Sequence, residues 1–574
     1  MYIHMVRYTR KKRSNRNSQR SLRSQKRSDD DAGKAIAAGG FGCVFMPAIA
    51  CADASIANKM KTSGYEYITK VMLKKHATEE MNEVNRIVPI VSKIPNSKRY
   101  FLLDGIFQCS NFGPLSSEDV KNFDSKCGNL TRHGITSSNV NQNLNRMSAI
   151  YIPYGGISVA EIMRDLARVY NKTTKSPAKK LGTLIWSLAD VIQNGIVPMN
   201  KLGLIHLDLK GDNLLVNESV LNSGKMPYMK VIDWGLAGVI HGDSIADAAQ
   251  DRPLQFNGPF SNILFNKSLV DGVLLGSCYK GEISEAQIMP IATHIVTRMV
   301  SDWAGHANYI ATDLRQFTQP FIKATGRQTE LNSTASCTTE ALTIVAEYIA
   351  PVLRKYLSRQ TNGMLGCRFD QKAYFNDVYR WNCDIWGALV SLQEFIGRVG
   401  SYTSHREDSI LKGISNILFK YCFAPTYAAE RIPLNDVLKD LHKLAGMCGV
   451  ASRPPPEAQV PVAPAPKAAT IAIPVATKKK LVLRQDSPTT IDMKPGRSKC
   501  PKGYTKHSSK PNKCKKKTEK KKGVSPKRAA TKKARASPKP IHSLPLGRKR
   551  CPPGFKKLSG DGLYTKIVCV KNKK

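Results

Sequence analysis

His206-Leu-Asp-Leu-Lys-Gly-Asp-Asn213, followed about 20 residues later by Val231-Ile-Asp-Trp-Gly235, decides how this chain is read. Asp208 brings a carboxylate, Lys210 an ammonium two residues on, and Asn213 a carboxamide oxygen. Asp233 adds a second carboxylate where an apolar run ends, and Gly235 lets the chain turn there. Phosphoryl transfer asks a protein for positioned phosphates, for cations that neutralise charge, and for a carboxylate beside the attacking hydroxyl. In that chemistry Asp208 orients the acceptor hydroxyl and takes its proton, and Lys210 reaches the transferring phosphate. Asn213 and Asp233 supply the oxygen ligands that Mg²⁺ requires. A lone His-x-Asp is common, whereas the complete spacing is far more specific.

Two upstream features fit the same chemistry. Gly39-Gly-Phe-Gly-Cys-Val-Phe45 reads as a glycine turn running into a strand, and Gly39, Gly40 and Gly42 would let backbone N–H groups approach phosphates. Lys70 lies inside an apolar strand, Tyr67-Ile-Thr-Lys-Val-Met72, where a charge is costly unless paired. Helical spacing over Glu79–Val88 offers the partner. Glu83 is the expected one, because Ile87 one turn later gives that helix an inward face, with Glu79 and Glu80 as alternatives. Tyr100–Phe107 and Ala149–Ile152 read as further strands, with a polar stretch, Ser110–Arg146, between them. Leu181–Ile196, Asp384–Ile396 and Ile432–Leu444 read as helices.

Together these stretches resemble the eukaryotic-type protein kinase superfamily over about residues 33–447. They are most similar to Ser/Thr protein kinases of nucleocytoplasmic large DNA viruses. Four stretches carry that likeness: Gly39–Pro47 (GGFGCVFMP), Ile152–Gly156 (IPYGG), Arg252–Phe265 (RPLQFNGPFSNILF) and Trp381–Gly387 (WNCDIWG). The resemblance implies an α+β, bilobal fold. A small β-rich lobe would span 33–153 with an insertion at about 110–146, and a larger helical lobe 154–447 with an insertion at about 266–375. It implies ATP and Mg²⁺ as cofactors and protein hydroxyls as acceptors. Ala37, Gly39, Gly40, Gly42, Val44, Lys70, Glu83, Ile150, Ile152, Asn213 and Asp233 would surround the nucleotide, with Asn213 and Asp233 on the metal and Asp208 and Lys210 catalytic. Asp384 in Asp-Ile-Trp-Gly387 would brace the catalytic loop.

The chain also departs from the family pattern. Ala37 replaces the first glycine of the loop, which stiffens it. Pro153 stands where a backbone N–H often meets adenine, and proline has none. Leu207 replaces the arginine that in many kinases grips a phosphorylated activation loop, so a phosphate switch of that kind is not expected. Trp234 replaces a phenylalanine. Ala-Pro-Glu is missing, with Arg252–Phe265 in its region, so Arg431 lacks its usual glutamate.

Composition divides the chain further. The formal net charge is +44, and 34 basic residues against 5 acidic lie between Arg453 and Lys574. Another 10 basic residues against 3 acidic lie within Met1–Ala32. Residues 1–32 are therefore expected to be a disordered arm, 448–477 a Pro/Ala-rich linker and 478–574 a disordered Lys-rich tail, the flanks attracting polyanions such as nucleic acid without sequence choice. The tail repeats a unit, Gly496-Arg-Ser-Lys-Cys-Pro-Lys-Gly-Tyr504 closing at Cys514, and Gly547-Arg-Lys-Arg-Cys-Pro-Pro-Gly-Phe555 closing at Cys569. Free thiols, a disulfide in each unit and a shared zinc site are all open there. The ten cysteines before the tail have no CxxC pair and read as reduced, intracellular thiols. No apolar run reaches the roughly 18 residues of a membrane span. The expected location is the host cytoplasm or nucleus, with packaging in a virion compatible. Three other readings compete: a small-molecule phosphotransferase of the aminoglycoside or choline kinase type, which also uses HxDxxxxN and an Ile-Asp-Trp run; a catalytically silent relative; and a virion or nucleic-acid-packing protein carrying a degenerate kinase body.

Overall fold

The computed structural model describes residues 34–457 apart from 39–41, 171–174, 278–283, 304–305, 307–333, 360–366 and 397–407, together with six short strands beyond. The N-terminal arm expected at 1–32 lies outside the described residues.

Five strands form one antiparallel sheet: Lys34–Ala38 (β1), Gly42–Met46 (β2), Tyr67–Leu73 (β3), Phe107–Cys109 (β4) and Met147–Pro153 (β5), in the order β1-β2-β3-β5-β4. Period-2 alternation sorts β3, with Tyr67, Thr69 and Val71 buried on one face and Lys70 on the other. Register then lines up residues far apart in the chain. Ala37 pairs with Val44, Val44 with Lys70, and Lys70 with Ile150; Ile68 pairs with Ile152 on the neighbouring rung.

Each face has its own cover. On the Lys70 side, the helix Lys74–Val91 contributes Ala77 to a small cluster with Met72 and Ile150. On the other side, Cys43, Phe45, Val71 and Tyr151 pack against Phe112, Phe123, Leu130 and Val140. The polar stretch expected as an insertion is thus an apolar-lined cap on the sheet. Its few large apolar side chains all turn inward, which its overall polarity conceals. Two disulfides form around it: Cys43–Cys127 ties it to β2, and Cys51–Cys109 ties the segment after β2 to the end of β4. The expectation of uniformly reduced thiols is corrected here, because the fold brings together cysteines 84 and 58 residues apart. Cys383, Cys422 and Cys448 are free and buried.

The strand expected over Tyr100–Phe107 is also corrected. Only its last residue enters β4. Tyr100 and Leu102 instead bond across to the helical half, with Val231 N–H donating to the Tyr100 carbonyl (2.7 Å) and Leu102 N–H to the Val231 carbonyl (3.2 Å).

The helical half has one large apolar core that includes the helices Lys175–Val191, Arg380–Leu389, Ser409–Leu418 and Leu434–Met447. Trp386 is fully buried in it, with Phe260, Tyr348 and Phe423 edge-on at 5.2, 5.5 and 5.9 Å. Tyr348 comes from the helix Thr334–Tyr356, so the stretch expected as a second insertion contributes to the core. Residues 453–457, expected as linker, lie on this body. Arg453 pairs with Asp190 at 2.6 Å, and the backbone of Met226 exchanges hydrogen bonds with Pro455 and Glu457 (2.9 and 2.8 Å). Proline-rich composition leaves the chain extended, and an extended chain can still dock by its backbone.

A second unit, Ala469–Lys574, carries two three-stranded antiparallel sheets of one topology. One has Thr490–Asp492, Tyr504–Lys506 and Lys513–Lys516; the other has Ile541–Ser543, Phe555–Lys557 and Val568–Lys571. In each the third strand is central, and Cys514 and Cys569 hold equivalent register positions, opposite Lys506 and Lys557. The expectation of a structureless tail is corrected at these strands, and the repeat begins earlier than its glycine-arginine signature. Cys500 and Cys551 lie outside the described residues. Among the described residues no helix is long and apolar enough to cross a membrane.

Candidate functional site

Asp384 organises the loop that holds Asp208. Its carboxylate is fully buried and accepts three hydrogen bonds, from His206 N–H (2.8 Å), Leu207 N–H (2.9 Å) and the Asn200 side-chain amide (2.8 Å). A buried carboxylate is tolerable when donors surround it. These bonds help hold Leu207 at φ +61°, a left-handed conformation that a bulky residue rarely adopts. The Leu207 carbonyl is secured separately by the buried Arg252 guanidinium at 2.6 Å. Gly387 lets the helix approach: a Cβ there would lie 2.4 Å from the Leu209 carbonyl oxygen.

His206 is a buried bridge. Its Nε2 lies 2.9 Å from the Ile232 carbonyl and so carries the proton, and its Nδ1 accepts from Asp208 N–H at 3.3 Å. Trp234 packs against the His206 ring at 4.9 Å and Phe101 at 5.8 Å, filling the position of the expected phenylalanine with a larger ring.

Three donors converge on the Asp208 carboxylate. Lys210 Nζ and Asn213 Nδ2 reach Oδ2 at 3.0 and 3.1 Å, and Asn257 Nδ2 reaches Oδ1 at 2.8 Å. Asn213 also donates to the Asp208 carbonyl (2.7 Å). Ile232 N–H donates to the Asn213 carbonyl at 3.1 Å, so Asp233 leaves its strand beside the loop. Asp233 is exposed, sits at φ +64°, and has no hydrogen-bond or ion-pair partner among the described residues.

On the sheet, Lys70 pairs with Glu80, its Nζ lying 2.9 and 2.6 Å from the two carboxylate oxygens. The expected partner Glu83 is therefore corrected. The buried face of the helix runs through Ala77, Val84, Ile87 and Val91. Glu80 continues it at three and four residues from Ala77 and Val84. Glu83 flanks that face, half-buried, and pairs with Arg86, which donates to the Ala237 carbonyl at 3.0 Å, just past Asp233-Trp-Gly235.

The remaining expected residues divide. Val44, Lys70 and Ile150 share one rung and one face, with the backbone of Ala37 in register beside Val44. Ile150 is buried beneath the helix, while Ile152 is partly exposed. Gly42 is required by the sheet itself, since a Cβ would lie 2.6 Å from the Val71 carbonyl oxygen. Gly39 and Gly40 lie outside the described residues. After Pro153, Tyr154 N–H is taken by the Glu66 carbonyl at 2.7 Å, so neither residue offers a free donor at the connector.

Sequence reasoning missed several contributors. Arg252 and Asn257 lie in the stretch Arg252–Phe265 that carries family likeness, but nothing in its sequence assigned them a role, and they act through folding. Arg431, expected without its glutamate, lies over the Trp381 ring at 4.6 Å and donates to the Asp377 carbonyl at 2.7 Å. Tyr100 donates to Asp190 at 3.0 Å, and burial together with that carboxylate pushes the phenol well above its ordinary range. Arg453 meets the same carboxylate from beyond the last helix.

Among the described residues no three His, Cys, Asp or Glu side chains gather as a metal site. The donor set nonetheless suits a cation shared with phosphates. Mg²⁺ is bound by one or two carboxylates together with phosphate oxygens and water, and Asp233 and the Asn213 carboxamide are hard oxygen donors of that kind. No family model matches this chain, and no curated protein matches it either.

Proposed function

We propose that the chain is a protein serine/threonine kinase that moves the terminal phosphate of ATP to protein hydroxyls, resembling the kinases of large DNA viruses. One observation carries the reading: Lys210 and Asn213 converge on Asp208, while Asp233 lies open beside Asn213 and the Lys70–Glu80 pair stands on the sheet face. Asp208 would orient the acceptor hydroxyl and take its proton, and Lys210 would stabilise charge on the phosphate in transfer. Lys70, held straight by Glu80, would hold the other phosphates. Asn213 and Asp233 would hold Mg²⁺, which when bound neutralises phosphate charge.

The test is transfer from radiolabelled ATP into a mixed protein extract. Asp208→Asn should lower transfer by about 10²–10⁴-fold and leave ATP binding in place. Labelling of small metabolites with none in protein would favour a small-molecule phosphotransferase. Undiminished labelling by the Asn variant would remove Asp208 from its role. The basic tail is proposed to bind nucleic acid through phosphates, in a salt-sensitive way. Because residues up to Glu457 dock on the body, the informative truncation removes 458–574. The truncated protein should keep transfer and lose DNA binding; retention of salt-sensitive binding would refute the assignment.

A further inference from the structure

We infer that Asn257 is a positioning residue for Asp208, delivered by a segment that Arg252 locks to the catalytic loop; this rests on the kinase reading. Asp208 Oδ2 is held from within its own loop by Lys210 and Asn213. Oδ1 is not, and its one partner among the described residues is Asn257 Nδ2 at 2.8 Å. A carboxylate only accepts, so the Asn257 amide must present its NH₂ group, and that bond fixes the carboxylate plane. A neutral donor does this without the field of a second cation, which would weaken the carboxylate as a proton acceptor.

The segment does not depend on this bond for its own place. Arg252 donates to the Leu207 carbonyl at 2.6 Å, and Asn266 donates to the Arg252 carbonyl at 3.1 Å. Trp386 Nε1 donates to the Phe256 carbonyl, the residue before Asn257, at 3.1 Å. Asn257 is buried, the backbone before it is anchored at Arg252 and Phe256, and its amide faces the reacting carboxylate. The clamp also supplies what Leu207 removes. A guanidinium still grips the catalytic loop, but it comes from the following segment and binds a backbone carbonyl, so it needs no phosphate on the chain. The loop is organised by folding alone.

Steady-state kinetics on the full-length protein test this. Asn257→Ala should lower kcat by about tenfold or more, the size expected for losing one aligning contact to a reacting group, with KM for ATP changed by less than about twofold. Asn257→Ser keeps a short donor and should recover several-fold of the lost kcat. An alanine variant as fast as wild type would overturn the inference. So would a serine variant no better than alanine with KM for ATP raised in step, since that pattern marks a structural role. If the alanine variant fails to fold, the kcat-against-KM split of the serine variant decides. A wild-type protein that transfers no phosphate overturns the kinase reading and this inference with it; an active wild type with an unimpaired alanine variant overturns this inference alone.

Discussion

The two halves of the body hold their parts of the site by different chemistry. The sheet half carries Lys70 on β3, pairs it with one glutamate across to a helix, and is stapled by two disulfides, one of them to its outer cap. In the helical half Cys367 is disulfide-bonded too, but the links described around the Asp208 loop are hydrogen bonds. One buried carboxylate, Asp384, gathers three donors, and Arg252 and Asn257 close the other side. The difference predicts different sensitivities. The strands β2 and β3 should answer to reductant, and the Asp208 loop to loss of a single buried hydrogen-bonding group.

The largest effect is expected at Asp384. Asp384→Ala orphans three buried donors at about 1–3 kcal/mol each, so urea unfolding should show a loss of about 3–5 kcal/mol together with near-complete loss of transfer. A loss under about 1 kcal/mol would mean that the rest of the loop network suffices. Next comes reduction of Cys43–Cys127 and Cys51–Cys109, which close long loops. Thiol reductant should cost about 2–4 kcal/mol per bridge, and hydrogen exchange should rise in β2 and β3 ahead of the Asp208 loop. Equal acceleration in β2, β3 and the Asp208 loop would remove the contrast.

His306 offers a pH test of the helical half. It is fully buried, accepts from Leu254 N–H within the segment that carries Asn257, and burial lowers its pKa to about 4. The unfolded chain then binds the proton more readily, so the stabilisation from neutral His306 is complete above about pH 6.5 and falls as pH drops toward 4. Between pH 7 and pH 5 the loss should be about 2 kcal/mol, and His306→Gln should flatten that part of the stability curve. An unchanged slope in the variant would assign the acid sensitivity elsewhere. The smallest effect separates two glutamates. Glu80→Gln should raise KM for ATP by about tenfold, or 1.4 kcal/mol, while Glu83→Gln should leave it near wild type. The reverse result would restore Glu83 as the partner of Lys70.

What could be read in advance follows from distance along the chain. Asp208, Lys210 and Asn213 lie within one loop, so their spacing constrains their geometry directly. Lys70 announced itself as a charge in an apolar strand. The choice among Glu79, Glu80 and Glu83 depended on helix phase, and the helix extends from Lys74 to Val91, beyond the stretch first recognised. Its full buried face selects Glu80. The cap over the sheet was hidden because its apolar residues are sparse and take meaning only against Cys43, Phe45 and Tyr151. The cysteines had no motif spacing because their partners are assigned by the sheet and not by the chain.

By itself the sequence determined the local constellation around Asp208, the apolar strand ending at Asp233, the helix bearing Asp384 and the concentration of positive charge beyond Arg453. Each follows from residue types within a few positions, where backbone geometry leaves little freedom. Tertiary structure alone decided that Glu80 meets Lys70, that Asn257 reaches Asp208 across 49 residues, that Asp384 reaches His206 across 178, and which cysteines join. Those pairings depend on packing between distant elements, and a hydrogen bond or disulfide forms only once that packing has brought its two ends into range.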